Sequence, residues 1–198
     1  MSPCERVGLL IAGAAMVLLG FYGFTTGAPS TLGYLISVVL VGSAIWWLRT
    51  TPLPDWLAVA LGIDAAMHLA GGLVSVGRGV LYDGHLGTWG SSVHTHFLQY
   101  DHLVHSFGSF LAAVTFWVLL APPGLTGRQR RGVIALCVLA GAGVGAINEI
   151  VEFTATLMHH GAHVGGYDNT GWDLVCNLVG AVAAGFLLAS SHGPEPQA

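Results

Sequence analysis

The stretch NEIVEF, Asn148 to Phe153, puts two glutamates and an asparagine inside an apolar run that carries no other charge. An ionisable side chain in a membrane-length helix costs about 2.5 to 3.5 kcal/mol on insertion scales, and such residues face the protein interior and mark function. The same pattern recurs along the chain, with Asp64 and His68, then Asp101, His102 and His105, then Asp173 and Asn177, all in apolar surroundings. Asp64/His68, Asp101/His105 and Asp173/Asn177 are i, i+4 pairs and Glu149/Glu152 is an i, i+3 pair, so each pair shares one helix face.

Imidazole and carboxylate oxygen converging from several helices suit a divalent metal such as zinc, iron or manganese. Helical bundles build carboxylate-rich metal sites from i, i+3 pairs on facing helices. With three or more protein ligands and one open position, such a metal acidifies a bound water to a pKa of about 7, and a glutamate left out of the ligand set can serve as general base. Two other readings stay open: an interhelical hydrogen-bond network that only holds the bundle together, and a proton or ion relay of a transporter or channel. Carboxylates three residues apart repel unless a cation or a proton neutralises them, which favours the readings that bring one.

Six apolar stretches of about 20 residues are the elements that must carry these groups. They run from 6 to 24, 31 to 49, 54 to 76, 98 to 121, 132 to 158 and 171 to 190, within a single transmembrane domain from 1 to 190. The punctuation agrees: Gly27-Ala28-Pro29-Ser30, Thr51-Pro52-Leu53-Pro54, a long polar loop from Gly77 to Phe97, Pro122-Pro123-Gly124, and Gly161 to Thr170. The expected fold is an all-α polytopic membrane bundle of six helices, with the tail from 191 to 198 disordered. Arg6 and the small residues Thr26 and Ala28 resemble a cleavable leader, but the apolar run from Val7 to Phe24 is as long as a full span, so the first helix is expected to be retained.

Arginine sets the orientation. Placing both termini in the cytoplasm leaves Arg6, Arg49, Arg128, Arg130 and Arg131 inside and only Arg78 outside. His85, His94, His96, His159, His160 and His163 then fall on the outer side, and all of them but His85 are expected to be solvated loop residues. Counting from the outer helix ends, Glu149 and Glu152 lie roughly 13 and 9 Å deep, Asp101 and His105 roughly 6 and 12 Å, His68 about 12 Å, and Asp173 and Asn177 about 3 and 9 Å. Four helices thus bring their polar groups to one layer of the outer leaflet. His102 stands about 100° round the helix from Asp101, an offset that can turn it away from that layer, but it is closer to His105. Gly141-x-x-x-Gly145 reads as a close helix approach, Trp46, Trp47, Trp89 and Trp172 as interface anchors, and Cys176 as an inert buried thiol.

Composition closes off other classes. Of 198 residues, 54% are hydrophobic and 8% charged, a balance that demands lipid and not water around the chain. Lysine is absent and the six arginines are scattered, which excludes a nucleic-acid surface. Cys4, Cys137 and Cys176 are far apart and form neither a disulfide framework nor a thiolate zinc site.

Three segments, YDHLVHSFGSF (Tyr100 to Phe110), AINEIVEF (Ala146 to Phe153) and GWDLVCNLVGAVAAG (Gly171 to Gly185), resemble the YjdF-like inner-membrane proteins and, more distantly, the VanZ-like family. Tyr100, Asp101, His105, Glu149, Glu152, Trp172, Asp173, Asn177, Gly180 and Ala181 carry the match; Asn177 stands where YjdF-like proteins tend to have aspartate, and the loop before Trp-Asp reads GGYDNTGWD. The resemblance implies a multi-pass protein of the cell (inner or plasma) membrane with its site in these segments, and envelope lipids or lipid-linked precursors as its substrate class. In that scheme Asp101, His105, Glu149 and Asp173 are the candidate metal ligands and Glu152 the candidate base. His68, Asp64, His102, Asn148, Asn177 and Trp172 are supporting or substrate contacts.

Overall fold

The computed structural model describes residues 1–28, 30–48, 52–77, 79–84, 99–158 and 167–191, with the backbone alone for 155–158. Arg49, Arg78, Trp89, the loop histidines His85, His94, His96, His159, His160 and His163, and the tail from 192 onward lie outside the described residues.

Six helices form: α1 (Pro3–Thr26), α2 (Thr31–Leu48), α3 (Asp55–Leu73), α4 (Tyr100–Leu120), α5 (Gly127–Met158) and α6 (Tyr167–Ser190). Each is long and apolar enough to cross a membrane, which makes the chain an all-α, multi-pass membrane bundle. The first helix starts where its sequence says it should. Ser2 and Glu5 form a reciprocal capping box around Pro3, and Gly27 ends the helix in the left-handed region that glycine tolerates without strain. The Glu5 carboxylate reaches further and accepts the Leu53 N–H at 3.1 Å, tying the start of α1 to the approach of α3.

Three boundaries differ from the sequence reading. The third span ends at Leu73 and not at 76, because Ser75–Val76 and Gly79–Val80 pair as an antiparallel ribbon (β1 and β2) around Gly77, followed by a 3-10 turn at Leu81–Asp83. The fifth helix begins at Gly127, so Arg128, Arg130 and Arg131 belong to its first turns and not to a loop. The sixth begins at Tyr167, four residues earlier than 171, which places Asp168 and Asn169 on the helix and sets Asp173 nearly two turns inside it.

α4 is the hub. It packs on α5, α6 and α3; α1 packs chiefly on α3, and α2 lies at the edge against α1 and α3. The core joins Leu57 and Ala58 of α3, Leu111, Ala113 and Val114 of α4, and Ala181 and Ala184 of α6. Small residues set the helix spacing, as expected where lipid tails compete for apolar contact. A Cβ on Gly141 would sit 2.8 Å from the Ala113 Cβ, and one on Gly180 would collide with the Ser106 carbonyl, so α5 and α6 approach α4 almost backbone to backbone. Large apolar side chains face outward along the bundle, among them Leu10, Phe21, Trp47 and Phe186. Trp46, Trp47 and Trp172 are partly or largely exposed, as membrane-interface anchors would be.

Candidate functional site

Three neighbouring helices wall the site. α4 contributes Asp101, His102 and His105 on one face, α5 contributes Asn148, Glu149 and Glu152, and α6 contributes Asn169, Asp173 and Asn177. Asp101, His102, His105, Glu149, Asp173 and Asn177 are all buried, Asp173 completely.

His105 stands at the centre. Its Nε2 lies 3.1 Å from Asp101 Oδ1 and its Nδ1 lies 3.2 Å from Glu149 Oε1. Two ligand-capable groups therefore share one imidazole: Asp101, His105 and Asp173 on one side, and His105, Glu149 and Glu152 on the other, each with its ligand atoms within 4.8 Å of one another. The two sides are not equally provided for. The Asn169 amide donates to Asp101 Oδ2 at 3.2 Å and also to Asp173 Oδ2, so it clasps the two aspartates together. On the other side Asn148 donates to Glu152 Oε1 at 2.7 Å, but both Glu149 oxygens are buried without a hydrogen-bond partner, as is Asp173 Oδ1.

Charge sharpens the contrast. Four carboxyl groups surround one imidazole, and were all four ionised, even an imidazolium at His105 would leave three negative charges to be neutralised by a cation or by protons. The arginines of α5 do not help, since Arg128, Arg130 and Arg131 lie about five turns along the helix from Glu149.

Of the two directions open to His102, it takes the inward one. Its Nε2 lies 3.8 Å from Asp173 Oδ1, its Nδ1 accepts the Gln99 N–H at 3.3 Å, and the Trp172 ring packs 6.3 Å from it, centroid to centroid. The 100° offset from Asp101 carries it round α4 toward α6, which the count on a lone helix does not show. Deeper in the bundle, Asn177 accepts a hydrogen bond from Ser109 Oγ at 2.7 Å and fills the space that Gly145 leaves on α5. The Cys176 carbonyl accepts from Ser106 Oγ at 3.0 Å, and its thiol is half-buried.

Asp64 and His68 form a second polar pair, on α3. His68 Nε2 lies 3.8 Å from Asp64 Oδ2, and both face Gly108 of α4, one turn along from His105. Tyr82, from the 3-10 turn after the ribbon, lays its ring on Gly71 and brings its hydroxyl to 3.0 Å from His68 Nδ1 and 3.1 Å from the His68 carbonyl. Burial, with smaller contributions from nearby ionisable groups, pushes the Tyr82 phenol well above its ordinary pKa, so it keeps its proton. Tyr34 and Tyr100 pack on either side of that ring.

Asn169, Gln99, Ser109 and Tyr82 are the participants that the sequence reading passes over. Asn169 carried a usable signal, since it precedes Asp173 by four residues and repeats the i, i+4 pattern of the other pairs. It reads as loop because glycines precede it. Tyr82 carried none, because only the ribbon folds it back onto α3.

The sequence profile of a family described as a predicted membrane protein, DUF2238, matches residues 6–193. The chain belongs to the DUF2238 family. That match runs through all six helices, so the bundle and its polar interior are the family's domain. No curated protein and no solved structure matches the chain.

Proposed function

We propose that this DUF2238 protein is a membrane-embedded divalent-metal protein, with its site in the outer leaflet and an amphiphilic envelope molecule as substrate. The observation that carries the metal reading is Glu149, whose buried carboxylate sets one oxygen 3.2 Å from His105 Nδ1 and leaves the other without a hydrogen-bond partner, among three further carboxylates. A network whose only task is structural would satisfy its members fully, because a buried carboxylate with one oxygen left over is costly; a cation removes that cost.

The ligands are His105 through Nδ1, with Glu149 and Glu152. Asp101, 3.1 Å from Nε2, then acts as the carboxylate that orients a ligating histidine and fixes its tautomer. This divides the four sequence-expected ligands into two roles. His105 and Glu149 hold the ion, whereas Asp101 and Asp173, clasped by Asn169, brace the imidazole and the start of α6. It also moves Glu152 from base to ligand. When bound, a divalent cation supplies Lewis-acid polarisation of a substrate oxygen and acidifies a coordinated water. The helices supply exclusion of bulk water, which strengthens every charge interaction inside.

The outward orientation rests on the arginine bias, and the envelope substrate on the YjdF-like and VanZ-like resemblance, together with the inner or plasma membrane as location. Elemental analysis of protein purified in detergent tests the central point. Stoichiometric zinc, iron or manganese is expected in the wild type and its loss in Glu149→Gln. A wild type that takes up none after reconstitution with each ion sinks the reading. A relay would instead show proton or cation flux in liposomes that depends on Asp101 and Glu149.

A further inference from the structure

Proton counting at Tyr82 identifies the free nitrogen of His68. The phenol has one proton, and its oxygen makes two close contacts, with the His68 carbonyl at 3.1 Å and with Nδ1 at 3.0 Å. A carbonyl only accepts, so the phenol proton goes there; the second contact is then a hydrogen bond only if Nδ1 carries the ring proton and donates it to the phenol oxygen. A neutral His68 in that tautomer presents a bare lone pair at Nε2. Nothing on its own helix satisfies it: Asp64 Oδ2 stands 3.8 Å away, past hydrogen-bond length, and is itself an acceptor. Asp64 Oδ1 is buried without a hydrogen-bond partner. The facing wall is Gly108, where even an added Cβ would come no closer than 3.5 Å to either group. Two acceptors 3.8 Å apart over a residue without a side chain form a slot for a proton donor, a water that gives a proton to each or a hydroxyl that gives its one proton to Nε2.

We propose that Asp64 and His68 form a proton-accepting slot for a water molecule or the hydroxyl of a reactant, with Nε2 of His68 as the acceptor and Tyr82 as the positioning residue that fixes the tautomer. In the transfer, the O–H bond breaks, its electron pair stays on the oxygen, and the proton forms an N–H bond at Nε2; Asp64 stabilises the resulting imidazolium. What that oxygen then attacks rests on the metal reading above, whereas the slot does not. His68 side-chain exposure of 29% leaves it open to exchange with its surroundings, unlike His105 at 3%.

Nitrogen-15 NMR of the full-length, histidine-labelled protein in lipid tests the slot, with the His68 resonances assigned by their disappearance in His68→Gln. The expected wild-type signature is a protonated Nδ1 and an unprotonated, hydrogen-bonded Nε2, giving way to mixed tautomers in Tyr82→Phe. An Nε2-protonated His68 in the wild type, or a tautomer unmoved by Tyr82→Phe, overturns the proposal. Metal content of His68→Gln is the second readout. Wild-type stoichiometry supports a proton acceptor, and loss of the ion makes His68 a ligand and overturns it. A wild type without metal defeats the metal reading while the NMR result still decides the slot.

Discussion

Asp101 and Glu149 flank the same imidazole at nearly equal distances, 3.1 and 3.2 Å, yet the two carboxylates do different work. Asp101 holds the Asn169 amide on its other oxygen at 3.2 Å, whereas the Asn148 amide beside Glu149 gives its short bond, 2.7 Å, to Glu152. Asp101→Asn should therefore weaken metal binding about 10- to 100-fold, the usual effect of losing a carboxylate behind a ligating histidine, and the site should still fill at saturating metal. Competition titration with a chelator measures this. A loss as complete as that of Glu149→Gln would return Asp101 to the ligand set. The i, i+3 and i, i+4 spacings made these residues legible in the sequence, because a polar pair on one face of a lipid-length helix is too costly to face the hydrocarbon and must turn inward. Their partners were less legible: Asn169 depended on where α6 begins, and the inward turn of His102 depended on where α6 stands relative to α4.

The elements were read more easily than their ends. Six apolar runs fix six helices, but a helix can continue past its apolar stretch when its caps and first turns are polar. That is how α5 gained Arg128 to Arg131 and α6 gained Asp168 and Asn169. The ribbon at Ser75–Val76 was hidden in turn, since a short apolar stretch reads equally as the last turn of a span. Packing between elements gives a direct prediction. Gly180 lies against the Ser106 carbonyl with no space for a Cβ, so Gly180→Val must push α6 away from α4. The expected cost is about 1 to 3 kcal/mol, read as a lower unfolding midpoint in detergent, with metal retention falling as well because Asp173 and Asn169 move with α6. Unchanged stability together with unchanged metal content would mean that the two helices do not approach as closely as described.

For the whole molecule, the outward-facing apolar surface and the buried polar interior invert the arrangement of a soluble protein, and the composition already demanded this. Six crossings put both termini on one side, and the orientation proposed from the arginine bias makes that side the cytoplasm. Tyr167, 93% exposed at the start of α6, then faces outward. In a background with the native cysteines replaced by serine, Tyr167→Cys should react with a membrane-impermeant maleimide added to intact cells. Labelling only after the membrane is opened would invert the orientation.

Arg130 gives the bundle a clasp whose timing matters. Its guanidinium donates to the carbonyls of Leu188, Ala189 and Ser191 at the end of α6, and lies 5.5 Å from the Trp117 ring of α4. A ribosome delivers α4 first, α5 next and α6 after both, so neither this clasp nor the Asn169 bridge between Asp101 and Asp173 exists until the sixth helix has been inserted. The ligands proposed for the ion, all on α4 and α5, are thus in place one helix before the aspartate brace behind His105, and the cluster is closed on every side only at the end of biogenesis.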